Sequence, residues 1–143
     1  MWPQARQAFL SQVVGPRFEQ ICRDWALLAD DVFDEPPAEV GSGVVTDPPN
    51  KTQIEIDVGA FAAAAAGEPR RVLSLGEVKW GRTMGMRDLS RLARARDLLA
   101  ERGFDTAIAK LACFSGSGFD DHLRDAAADR ADVLLVDPGL LYG

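Results

Sequence analysis

Thr52-Gln53-Ile54-Glu55-Ile56-Asp57-Val58 alternates polar and apolar side chains, so as a strand it places Ile54, Ile56 and Val58 on one face and Gln53, Glu55 and Asp57 on the other. Twenty positions after Asp57 stands Glu77, in Leu75-Gly76-Glu77-Val78-Lys79-Trp80, which ends the β-rich run Arg71–Trp80. Period two puts Glu77 and Lys79 on the same side of that second strand and Val78 on the other. A hairpin or adjacent pairing of the two strands then brings an acidic pair and a Glu/Lys pair onto one patch. Two features set this patch apart from an ordinary solvated face. Asp57 lies between apolar Ile56 and Val58, an unfavourable place for a charge without a partner, and the Glu77-Val78-Lys79 tripeptide ends the largely apolar run Val72-Leu73-Ser74-Leu75, where a solvated face would alternate.

The rest of the chain arranges itself around these strands. Upstream, Phe9, Val13, Phe18, Ile21, Cys22, Trp25 and Leu28 recur at intervals of three and four between Gln4 and Ala29, with a break at Gly15-Pro16. This predicts two helices, the second beginning at Pro16, where proline suits a first turn. A loop runs from Asp30 to Pro37, Glu39–Thr46 is a first strand, and Asp47-Pro48-Pro49-Asn50 is a turn. Downstream, Met86–Arg102 holds no Gly or Pro and is a helix stopped by Gly103. Thr106–Phe114 is a strand, Ser115–Gly118 a tight turn, Asp120–Arg130 a short helix and Val133–Val136 a last buried strand. The order α-β-β-β-α-β-α-β predicts an α/β or α+β layered domain, a mixed central sheet flanked by helices.

Length and composition agree with this. At 143 residues, 47% hydrophobic and 27% charged, residues 1–143 suffice for one globular domain and exclude a disordered or fibrous chain. No apolar run is long enough to span a membrane and the first residues do not resemble a signal peptide, so the expected setting is cytoplasmic. Cys22 and Cys113 are too few for a disulfide scaffold or a zinc cluster and read as buried thiols. The net charge of −6 conceals a segregation: residues 70–110 carry a net +5 and the remainder −11. A local basic patch, not the average, is what nucleic-acid binding requires.

On these residues the chain resembles the PD-(D/E)XK nuclease superfamily, the restriction-endonuclease-like fold with its αβββαβ core, here from Pro16 to Phe114. More narrowly, Gly15-Pro16-Arg17-Phe18-Glu19, Glu77-Val78-Lys79-Trp80-Gly81 and Asp137-Pro138-Gly139-Leu140-Leu141-Tyr142 resemble the C-terminal domain of a group of prokaryotic P-loop ATPases. The resemblance implies Asp57 and Glu77 as ligands of Mg²⁺ or Mn²⁺, Lys79 as the catalytic lysine beside the attacking water, and Glu19 as a supporting acid from the first helix. It implies hydrolysis of phosphodiester bonds, in DNA, and, for cutting both strands, two such sites paired in a homodimer. Ile56 stands where many members have proline, and no Gly-X4-Gly-Lys-[Ser/Thr] loop occurs, so the chain is not itself an ATPase. A second reading therefore stands beside the first: a non-cleaving nucleic-acid-binding or regulatory module of a larger P-loop ATPase, or a domain that binds a partner protein.

Other residues carry less. Arg87, Arg91 and Arg94 fall at i, i+4 and i+7 and, with Arg82 and Arg96, form a candidate phosphate-contacting stripe; the competing reading is a solvated helix face paired with Asp88, Asp97 and Glu101. Trp80 could stack on a base, though a large aromatic ending a strand is more often core. Ser115–Gly118 reads as a turn and not a phosphate loop, because Asp120-Asp121 follows. His122 reads as a surface residue, and no Ser/His/Asp or Cys/His nucleophile set can be assembled.

Overall fold

The computed structural model describes residues 18–28, 32–33 and 35–142. The helix expected between Gln4 and Gly15, and the start of the next one at Pro16, lie outside the described residues. A helix over residues 18–28 (α1) precedes β1 (Glu39–Asp47), a 3-10 turn at Pro48–Asn50, β2 (Thr52–Phe61), β3 (Val72–Lys79), α2 (Met86–Glu101), β4 (Lys110–Ser115), α3 (Asp121–Asp129), β5 (Val133–Val136) and α4 (Pro138–Tyr142). The strands lie side by side in sequence order. β1, β2 and β3 pair antiparallel, whereas β3, β4 and β5 pair parallel, as strands joined through crossover helices must. The fold is α/β, a five-stranded mixed sheet flanked by helices.

Each face of the sheet has its own core. On one, Ile54, Ile56 and Leu75 pack with Leu89, Leu92 and Leu98 of α2 and Leu123 of α3; on the other, Val58, Ala60, Leu73 and Phe114 pack with Phe18, Cys22 and Ala26 of α1. β3 is buried along almost its whole length, the signature of a strand covered on both sides. Cys22 and Cys113 are buried free thiols, pushed by burial to about 12, out of reach of nucleophilic chemistry at neutral pH. Among the described residues no helix is long and apolar enough to cross a membrane.

Three local features depart from the periodicity. Gly41 pairs with Gly59 but Gly43 with Ile56, so Asp57 and Val58 together oppose the single residue Ser42: a β-bulge. Val58 therefore turns to the α1 face instead of sharing a face with Ile54 and Ile56. A second irregularity leaves Leu73 extra between the Ala60–Ser74 and Phe61–Val72 pairs. Finally, β4 begins at Lys110 and not at Thr106. The Asp105 carboxylate accepts the Ala107 N–H at 3.0 Å and the Ala109 N–H closes on the Thr106 carbonyl at 3.1 Å, which holds residues 105–109 in a turn.

Candidate active site

The β2–β3 ladder ends at the Val58–Gly76 pair, and there the chemistry-bearing residues gather. Continuing that register would set Asp57 opposite Glu77. Instead the Asp57 carboxylate accepts the backbone N–H of Val78 at 2.8 Å, which seats it against the residue between Glu77 and Lys79. The bulge makes this seat possible, since re-aiming a side chain at a strand edge is what an extra residue does. Arg23 of α1 donates to the Asp57 carbonyl at 3.2 Å and clamps the bulge from the other side.

Glu77 is 4% exposed and Lys79 extends over it, Nζ to Oε1 3.2 Å. Arg91 of α2 reaches the same oxygen at 3.6 Å. Two cations thus face one buried carboxylate, yet burial still pushes Glu77 above the ordinary glutamate range, outweighing Lys79 and Arg91. Burial also raises Asp57, against the Val78 N–H and Lys79. Glu19 on α1 is raised by burial and then by the negative charge of Asp57. The charged forms of all three carboxylates are thus disfavoured, and Lys79, in contact with Glu77, eases each of them. Among the described residues no three His, Cys, Asp or Glu side chains converge as a preformed metal cluster.

Of the predicted quartet, Glu77 and Lys79 are in contact and Asp57 is bonded to the residue between them, whereas Glu19 stands on α1 with no hydrogen bond or ion pair to the other three. The arginine stripe is divided. Arg94 grips the buried Asp47 with two hydrogen bonds, 3.1 and 3.0 Å, and Arg82 holds the buried Asp88, which in turn accepts the Gly85 N–H at the start of α2 at 2.9 Å. Arg96 is bonded to Asp132 at 2.8 Å. These three are committed to the fold, while Arg91 and the exposed Arg87 stand over the site and the groove next to it. Trp80 packs edge-on against Phe18, ring centroids 4.9 Å apart, as a core aromatic would. Ser115 and Ser117 bond the Arg82 and Trp80 carbonyls, so Ser115–Gly118 is a braced turn; His122 is exposed on α3. Sequence reasoning missed Arg23, whose signal was its placement four residues after Glu19, on the same helix face.

No protein-family model matches the chain, and no curated protein matches it. A solved structure, the crystal structure of a protein of unknown function, AF1548, is similar to it with a TM-score of 0.49 and 19% identity. The similarity covers 84% of this chain and 57% of that one, so the chain spans little more than half of that protein's length.

Proposed function

We propose that this chain is a metal-dependent nuclease domain of the PD-(D/E)XK type that hydrolyses phosphodiester bonds in DNA. The observation that carries the reading is the seating of the Asp57 carboxylate on the Val78 N–H, between Glu77 and Lys79. The donor set fits Mg²⁺ or Mn²⁺: all ligands are carboxylate oxygens, and a hard cation of this kind takes one or two of them, completing its shell from water and substrate phosphate. Burial has raised both acids, so a divalent cation held by Asp57 and Glu77 would offset the desolvation that disfavours each charge. When bound, the cation would supply an acidified water and stabilise charge on the phosphoryl oxygens. Lys79 lies 3.2 Å from Glu77 and is placed to hold a water by donation, and Glu19, on the helix whose Arg23 bonds the Asp57 carbonyl, adds to the acidic side of the site. A cytoplasmic setting and a homodimer that pairs two sites belong to the same reading.

One observation favours a second reading. Lys79 and Arg91 already neutralise Glu77, which suits a non-cleaving module attached to a P-loop ATPase or a partner protein. Calorimetric titration of Mg²⁺ or Mn²⁺ into the wild type and Asp57→Asn, with plasmid nicking on the same samples, separates the two. The nuclease reading expects metal binding and nicking in the wild type and neither in the variant, with nicking also absent in Lys79→Ala. A folded wild type that neither binds metal nor nicks DNA hands the function to the second reading.

A further inference from the structure

Joined to Glu77 through Arg91 lies an open groove of about 420 Å³ between the β1–β2 turn and α2. Arg87, Ser90 and Arg91 line it from the helix, and Asn50, Thr52 and Gln53 from the turn and the start of β2. Two of its charges cancel, since Arg94 is bonded to Asp47 and the Asn50 amide also donates to that carboxylate at 2.8 Å. That leaves Arg87, which is exposed, and Arg91, whose guanidinium stands 3.6 Å from Glu77 at the inner end. Around them sit hydroxyl and amide side chains and no uncompensated acid among the lining residues. A cationic groove whose uncharged walls, Ile54 among them, carry the side-chain donors of Asn50, Thr52, Gln53 and Ser90 suits a phosphodiester backbone, which needs charge for affinity and short polar donors for register.

We propose that this groove seats a backbone phosphate of a nucleic-acid strand, held by Arg87 and Arg91, and that Arg91 is shared between that phosphate and Glu77. The proposal rests on the nuclease reading for the identity of the strand, and it extends it: the groove gives the site a phosphate subsite on the α2 side and assigns Arg94 and Arg82 to the fold instead. Sharing has a consequence. As long as Glu77 is charged and bound to Arg91, it competes with the strand for that guanidinium, so relieving Glu77 strengthens binding through Arg91 in particular. Arg87, with no such tie, contributes the same amount whatever the state of Glu77.

The test is fluorescence anisotropy of a labelled DNA oligonucleotide in EDTA, so that no metal-dependent turnover enters the readout. Arg87→Ala and Arg91→Lys or Ala are expected to raise Kd about tenfold each, the size of one lost charge-assisted contact, and each alanine to flatten the log Kd against log salt slope by about one. Glu77→Gln is expected to tighten binding; that gain should vanish in the Glu77→Gln/Arg91→Ala double variant and persist with Arg87→Ala. Arg124→Ala, on the exposed part of α3, is the control and should leave Kd unchanged. A gain that survives Arg91→Ala overturns the sharing, and wild-type affinity in both arginine variants overturns the groove. A polyglutamate peptide that competes as well as the unlabelled oligonucleotide at equal charge also overturns it, in favour of an acidic protein partner. Binding lost in the arginine variants of a protein that never nicks DNA upholds the groove while the nuclease reading falls; nicking by the wild type with unchanged Kd in both variants does the reverse.

Discussion

Asp47 is 1% exposed and charged, and it stays so because Arg94 donates twice to it and Asn50 once. Those hydrogen bonds hold its carboxyl down at about 2. A carboxylate depressed in the folded state contributes stability that is present above its unfolded value and is lost as the pH falls through the folded one. Arg94→Ala should therefore lower the melting temperature clearly between pH 5 and 7, and the gap to wild type should close as the pH approaches about 2. Differential scanning calorimetry across that range checks it; an equal deficit at both ends would mean that Arg94 acts through packing and not through charge. Arg87→Ala, removing an exposed side chain, should leave the melting temperature where it is. The spacing of arginines along α2 was legible in the sequence, but which of them the fold consumes was not. That depends on acids contributed by β1 and by the β5 approach, forty or so residues away in either direction.

At the level of the elements, period and punctuation located every strand and the helices α1, α2 and α3 of the described residues to within a few positions, because the apolar alternation of β2, the buried run of β3 and the Gly-free α2 are each local signals; the short α4 after Asp137 was not anticipated. The bulge at Asp57-Val58 was not local. It exists only relative to Ser42 on the neighbouring strand, and no single-strand reading can contain it. The Glu77/Lys79 side of the site was therefore visible in the sequence, whereas the seat of Asp57 on the Val78 N–H was not. Gly76 belongs to the same junction. A Cβ there would lie 2.7 Å from the Phe114 ring, 3.2 Å from the Val58 carbonyl and 3.3 Å from that of Ala112. Two of the three obstacles are backbone, and Phe114 is wholly buried, so little can move aside. Gly76→Ala is expected to destabilise the protein by about 1–3 kcal/mol in urea unfolding, as overpacking of a tight core does. A loss under about 0.5 kcal/mol would show that the β2–β4 region relaxes more freely than its packing implies.

On the scale of the whole molecule, the perturbed acids among the described residues divide into two groups with opposite effects on stability. Asp47, Asp88 and Asp132 are lowered by their arginines, Asp88 in spite of its burial, and they support the fold at neutral pH. Glu19, Asp57 and Glu77 are raised, chiefly by burial, and they work against it. A carboxyl raised in the folded state binds its proton more tightly there than in the unfolded chain. Below both values the two states are equally protonated and nothing is gained or lost; above them the native state carries a charge it disfavours. Such a cluster is kept at the expense of stability, which is common where a site has a use. Asp57→Asn and Glu77→Gln should accordingly raise the melting temperature at pH 7 in metal-free buffer, even though Glu77→Gln gives up its contacts to Lys79 and Arg91. The gain should shrink as the pH falls through the ordinary carboxylate range near 4 and be gone below it. Melting curves of both variants from pH 3 to 8 decide the matter. A gain undiminished at pH 3 would trace to repacking, and a loss at pH 7 would mean that the cations around Glu77 make it a structural ion pair, which would weaken the case for a site poised to take a divalent cation.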